Sequence, residues 1–110
     1  MKIDPSSAWR VDLVSSDGTR IAFDTPRCAL GAWTAAPPSG AFLEVQDYYE
    51  RKPRRAHELR FAIGSDVLGP MGPDLVPVDP QRADKFAKDH GASRVLRLDE
   101  ITAEVLASLK

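Results

Sequence analysis

The sequence predicts an α+β domain over residues 1–110: a small mixed, mostly antiparallel sheet with helices packed on it, in the order ββαββ-loop-αβα. Three observations carry that expectation. Period-two alternation recurs in "AWRVDLV" and "LRFAIGS", the mark of strands with a buried face. Apolar positions Ala83, Phe86, Ala87 and His90 fall on one helical face of "DPQRADKFAKDHG". Between these patterns lies "SDVLGPMGPDLVPVD", residues 65–79, whose glycines and prolines stop any regular element.

Taken in order, Trp9, Val11 and Leu13 alternate with Arg10 and Asp12, giving a first strand over residues 8–14. Asp17-Gly18 signals a hairpin turn, and "RIAF" returns as its partner. Thr25 suits an N-cap and Pro26 the first helical position of "DTPRCALGAWTAA". "AFLEVQDYYE" reads as a third strand, and "LRFAIGS", with Leu59, Phe61 and Ile63 on one face, as a fourth antiparallel to it. "LVPV" is a short extended piece. The clearest helix follows, with Asp79 as cap, Pro80 at its first position and Gly91 just past its end. "SRVLRLDE" is a final strand, and "ITAEVLASLK" a helix with Ile101, Val105, Leu106 and Leu109 inward. Trp9 and Trp33 are expected in the core.

Composition excludes several classes of function. A 43% hydrophobic and 28% charged chain is ordinary for a globular protein. Its formal net charge of −1 gives no reason to expect nucleic acid or an anionic membrane as partner. The basic run Arg51-Lys52-Pro53-Arg54-Arg55 is flanked by Asp47, Glu50 and Glu58, and reads as a solvated hairpin tip. Cys28 is the single cysteine, so no internal disulfide forms. No run approaches the length of a membrane span. No apolar leader follows Met1-Lys2-Ile3-Asp4, so no targeting segment is expected within this chain.

Enzymatic chemistry finds no support. Nucleophilic catalysis needs a Ser, Cys or Lys beside an oriented base, and neither His57 nor His90 lies in such a signature. "GPMGP" carries prolines where a phosphate cradle needs backbone N–H donors. Asp99-Glu100 is explained by capping a helix start. Sulfur is more suggestive. Thioethers and thiolates are soft donors that select Cu(I), and they occur only at Met1, Cys28 and Met71. Met71 on a rigid Gly-Pro loop would lose little ordering entropy on binding.

The block "GSDVLGPMGP", continued by "LVPV", a helix closing on His90-Gly91 and a strand running into Asp99-Glu100, resembles the NosL family of nitrous oxide reductase accessory proteins. Upstream, "SSDGTRIAFDTPRCAL" and "VQDYYERK" extend the resemblance over nearly the whole chain. It implies a copper-binding accessory protein or metallochaperone, not an enzyme, involved in denitrification. Such a protein takes Cu(I) and delivers it to a recipient cuproenzyme or copper-transfer partner outside the cytoplasm. The family is periplasmic or anchored to the outer membrane as a lipoprotein. The resemblance implies Met71 as the loop donor. Met1 aligns with the methionine of a Cys-x-Met motif whose cysteine, with its lipid anchor, would precede the first residue of this chain.

Met71, Met1 and Cys28 are therefore the candidate metal ligands, with no catalytic or cofactor-binding residues expected. Each has a structural alternative. Met71 can plug the core beneath its loop. Met1 can be merely the first residue of the chain. Cys28 is by residue type a small buried hydrophobe, although a helix N-terminus would activate it if exposed. His57 is considered for its reach toward the loop, and His90 as a partner of the last helical carbonyls. The alternative function is a metal-free protein-interaction domain that keeps the NosL-like fold.

Overall fold

The computed structural model describes residues 9–35, 39–69 and 72–109. Strands β1 (Val11–Val14) and β2 (Arg20–Phe23) form the expected hairpin. Its turn closes by Gly18 N–H donating to Ser15 C=O at 2.9 Å and Thr19 N–H to Asp17 Oδ1 at 2.9 Å. Helix α1 (Pro26–Ala35) follows, then β3 (Phe42–Gln46) and β4 (Pro53–Arg55). These strands make one antiparallel sheet in the order β2-β1-β3-β4. Its solvent-side face ties strands by charge: Arg20 meets Asp12 at 3.1 Å and Glu44 at 3.0 Å.

A second sheet has β5 (Arg60–Ile63) in the centre, β8 (Val76–Val78) on one side and β9 (Arg94–Leu96) on the other. Between β5 and β8 the chain forms a separate two-stranded pair, β6 (Leu68–Gly69) with β7 (Gly72–Pro73). Helices α2 (Ala83–His90) and α3 (Ala103–Ala107) complete the order. Every strand pair among the described residues is antiparallel. The α+β class stands, with its strands divided among separate sheets. No helix among the described residues is long and apolar enough to cross a membrane.

Two expectations are corrected here. "LRFAIGS" does not pair with the third strand; its partners are β8 and β9. The reason lies in burial. Leu59, Phe61 and Ile63 face the larger core, while Ala62 is buried on the opposite face with Val76, Val78 and Phe86. A strand covered on both faces belongs in the middle of a sheet. The neighbour of β3 comes instead from the basic run read as a solvated tip. Pro53 tolerates that role because β4 is an edge strand, where a missing N–H is not required. Arg54 pairs with Asp79 at 2.6 Å, and the Arg55 guanidinium lies 4.1 Å from the Phe42 ring centre.

The third strand also ends earlier than the pattern suggests. Asp47 is buried and turns the chain: its carboxylate accepts from Glu50 N–H at 2.8 Å and Asp79 N–H at 2.9 Å. Asp79 in turn does not cap α2 directly. Its Oδ1 accepts from Gln81 N–H at 2.8 Å, its carbonyl from Arg82 N–H at 2.9 Å, and the helix begins a turn later at Ala83. The apolar face of α2 is as expected, with Ala83 and Phe86 buried. Gly91 ends the helix in the left-handed region at φ 69°. Thr102 caps α3, accepting from Val105 N–H at 3.3 Å, and Ile101, Val105, Leu106 and Leu109 all enter the core. Trp9 and Trp33 are half-buried, packed against the two clusters.

Gly64 marks where β5 departs toward the β6–β7 pair. It sits at φ 78°, and a Cβ there would lie 2.5 Å from Ser93 Oγ and 3.2 Å from Ser93 Cβ. Ser93 is itself held, its N–H donating to Ile63 C=O at 2.8 Å. Gly64→Ala is expected to lower stability by about 2 kcal/mol, combining left-handed strain with the clash. Chemical denaturation checks this; a loss below about 0.5 kcal/mol would show that the Ser93 side of the junction yields freely.

Candidate metal centre

The β6–β7 register pairs Leu68 with Pro73 and Gly69 with Gly72. Pro70 and Met71, which join these strands, lie outside the described residues, as does Met1. What the structure describes is the strand pair on either side of Met71. Connectivity ties Met71 to the closed end of this pair. The strand leading into it follows a loop fastened to α2: Asp66 N–H donates to His90 C=O at 2.9 Å, and His90 Nδ1 lies 2.7 Å from Asp66 Oδ1.

The strand leaving the pair runs into Asp74, which is buried. Asp74 Oδ1 accepts from Arg27 N–H and Leu75 N–H, each at 2.8 Å. The Thr25 hydroxyl oxygen accepts from Cys28 N–H at 3.2 Å. Thr25 thus caps α1 as its sequence predicts, and the bond from Arg27 N–H to Asp74 links the helix start to the strand leaving the methionine hairpin. Burial is the dominant influence on the Asp74 carboxyl and raises its pKa; the bonds from Leu75 and Arg27 oppose that rise.

Cys28 is exposed in the first turn of α1, against the default of a buried cysteine. The adjacent Ala29 and Leu30 take the core positions, leaving the thiol on the outer face. The bond from Arg27 N–H to Asp74 brings the first turn of α1, which carries Cys28, to the residue that follows the hairpin. The two histidines go elsewhere. His57 is exposed and lines a cavity with Trp33, Arg97, Leu98 and Asp99, away from the role considered for it at the loop. His90 bonds Asp66 rather than the last helical carbonyls, and its ring packs 4.6 Å from Phe86 and 5.7 Å from Tyr48. Among the described residues, no three His, Cys, Asp or Glu side chains converge as an ion site.

Sequence reasoning missed Asp74 and its reach to α1. The only available signal was an acidic residue directly after "GPMGP", which reads equally well as a turn former.

The NosL family model matches residues 1–106. The chain belongs to the NosL family. This membership places it among accessory proteins and not enzymes. The crystal structure of the copper chaperone NosL from Shewanella denitrificans is similar to it, with a TM-score of 0.72 and 20% sequence identity. The superposition covers 86% of this chain and 79% of that one. At this identity the likeness establishes a shared NosL fold. No curated protein sequence matches the chain.

Proposed function

We propose that this chain is a copper(I)-binding accessory protein that passes its metal to a cuproenzyme outside the cytoplasm, such as nitrous oxide reductase. Met71, Met1 and Cys28 are its soft donors. Residues 1–110 act as one NosL-like domain, periplasmic or held at the outer membrane by a lipid anchor upstream of Met1. Family membership over residues 1–106 and the copper chaperone with the same fold support this reading.

The observation that carries it is the bond joining the first turn of α1 to the residue that follows the methionine hairpin. A cargo site needs donors held near one another without a closed coordination shell, because the metal must leave. Thioethers serve this well, since they bind without deprotonation and keep their affinity where a thiol would be protonated or oxidised. The prolines at positions 70 and 73 limit the backbone freedom of the sequence around Met71, which reduces the ordering cost of each capture. Copper(I) is the cargo, and the transfer partner supplies the competing ligands.

Anaerobic titration with Cu(I) against a competing chromophoric chelator tests the reading. The wild-type chain is expected to form an equimolar complex. Even outer-shell losses cost about 10–100-fold in metal affinity, so Met71→Ala should weaken binding at least about tenfold with the circular dichroism spectrum unchanged. Cys28→Ser tests the thiol separately. Weak, non-stoichiometric binding, identical in all three proteins, would remove copper from the reading and leave the metal-free interaction domain.

A further inference from the structure

A cavity of about 240 Å³ opens beside the turn between β3 and β4. Its walls are Trp9, Tyr48, Val67, Val76 and Pro77, with Arg51 among the lining residues. These walls come from separate stretches of chain, and the backbone fixes them: Tyr48 N–H donates to Pro77 C=O at 2.8 Å. The volume falls below the range for drug-sized ligands or large cofactors. A small molecule with a short apolar body fits it.

We infer that this cavity binds a small organic carboxylate, with Arg51 receiving its charge. The guanidinium groups of Arg10, Arg20, Arg54 and Arg97 each meet a carboxylate. Among the described residues, Arg51 makes no such pair. Asp47 also lines the cavity, but its two oxygens accept from the amides of Glu50 and Asp79. Those two amides hold the Asp47 oxygens, and Arg51 is the lining cation whose side-chain donors meet no carboxylate among the described residues. A planar guanidinium receives a carboxylate through two parallel bonds, and Trp9 and Tyr48 supply an aromatic wall for the rest.

The backbone strengthens the assignment. Arg51 is the one non-glycine residue with positive φ among the described residues, at 56°. Glycine holds that conformation without the strain an L side chain meets there. The backbone bears that strain at Arg51, and recognition of an anion in the cavity would give the side chain a use that offsets it.

The test is an NMR titration of copper-free protein with benzoate and hexanoate, alongside benzyl alcohol and benzylammonium as neutral and cationic counterparts. Saturable shifts of the Tyr48, Val67 and Val76 amides are expected with the acids, at least tenfold tighter than with the alcohol. Arg51→Gly should weaken acid binding tenfold or more while raising the melting temperature by a few degrees, which separates recognition from folding. Arg51→Lys should retain part of the affinity. Equal binding of alcohol and acid, no saturable shift with either acid, or acid binding unchanged in Arg51→Gly would overturn the assignment. None of these results bears on copper, which is absent from the titration.

Discussion

Phe61→Ala is expected to reduce the unfolding free energy by about 3–5 kcal/mol. Phe61 is wholly buried at the centre of β5, with Pro77 and Leu96 directly across from it on the two neighbouring strands. Leu59 and Ile63 flank it on the same face, within a cluster that includes residues from α1 and α3. Removing the ring forfeits its transfer free energy, and a sheet bonded on both sides can collapse only partly into the space. Since small domains hold about 5–15 kcal/mol in total, this one change consumes much of the reserve. Urea denaturation gives the value. Ile21→Ala, at a side chain 50% exposed on edge strand β2, should stay within about 0.5 kcal/mol. A loss below about 1.5 kcal/mol at Phe61 would contradict the packing described.

Asp74→Ala is expected to cost about 2–4 kcal/mol, because two backbone amides lose their acceptor in a buried place. The loss should fall most heavily on the junction between α1 and the methionine hairpin. Hydrogen exchange at Arg27 and Leu75 would accelerate more than exchange in the β1–β2 hairpin. Uniform acceleration across the chain would argue against a local tie. Asp74→Asn keeps an acceptor and separates charge from bonding. Burial raises the folded pKa above the ordinary 3.8, so between those two values the native chain binds more protons than the unfolded one. Stability drawn from Asp74 therefore declines as pH rises through that window. The difference between wild type and Asp74→Asn should shift in favour of Asn from about pH 4 upward, then level, as paired denaturation curves would measure. An opposite slope would mean that the bonds outweigh burial.

Local chemistry made much of the fold legible. Thr25-Pro26, Asp17-Gly18, Thr102 and Gly91 each act through their own backbone, and each does what its residue type predicts. Pairing was harder to read, since it depends on which face finds cover. Nothing within "LRFAIGS" reveals that Ala62 is as buried as Phe61, and that fact moves the strand from the edge of one sheet to the middle of another. The placement of "PRR" as a strand was hidden by its charge, because edge strands tolerate what central ones exclude. At the site, soft-donor chemistry singled out Met71, Met1 and Cys28 without any geometry. The bond from Arg27 N–H to Asp74 connects positions 27 and 74, a separation that local pattern reading cannot bridge.

The pairing of Ile63 with Arg94 makes the whole stretch from 64 to 93 an excursion, pinched shut at its base by β5 and β9. The entropy of closing such a loop grows only logarithmically with its length, by about 0.6 kcal/mol for each doubling. Residues added within the excursion thus change the closure term at its base little, and β8 holds β5 from within it. The length of chain between β5 and β9 is open to variation at small cost, while the strands that define the fold remain fixed.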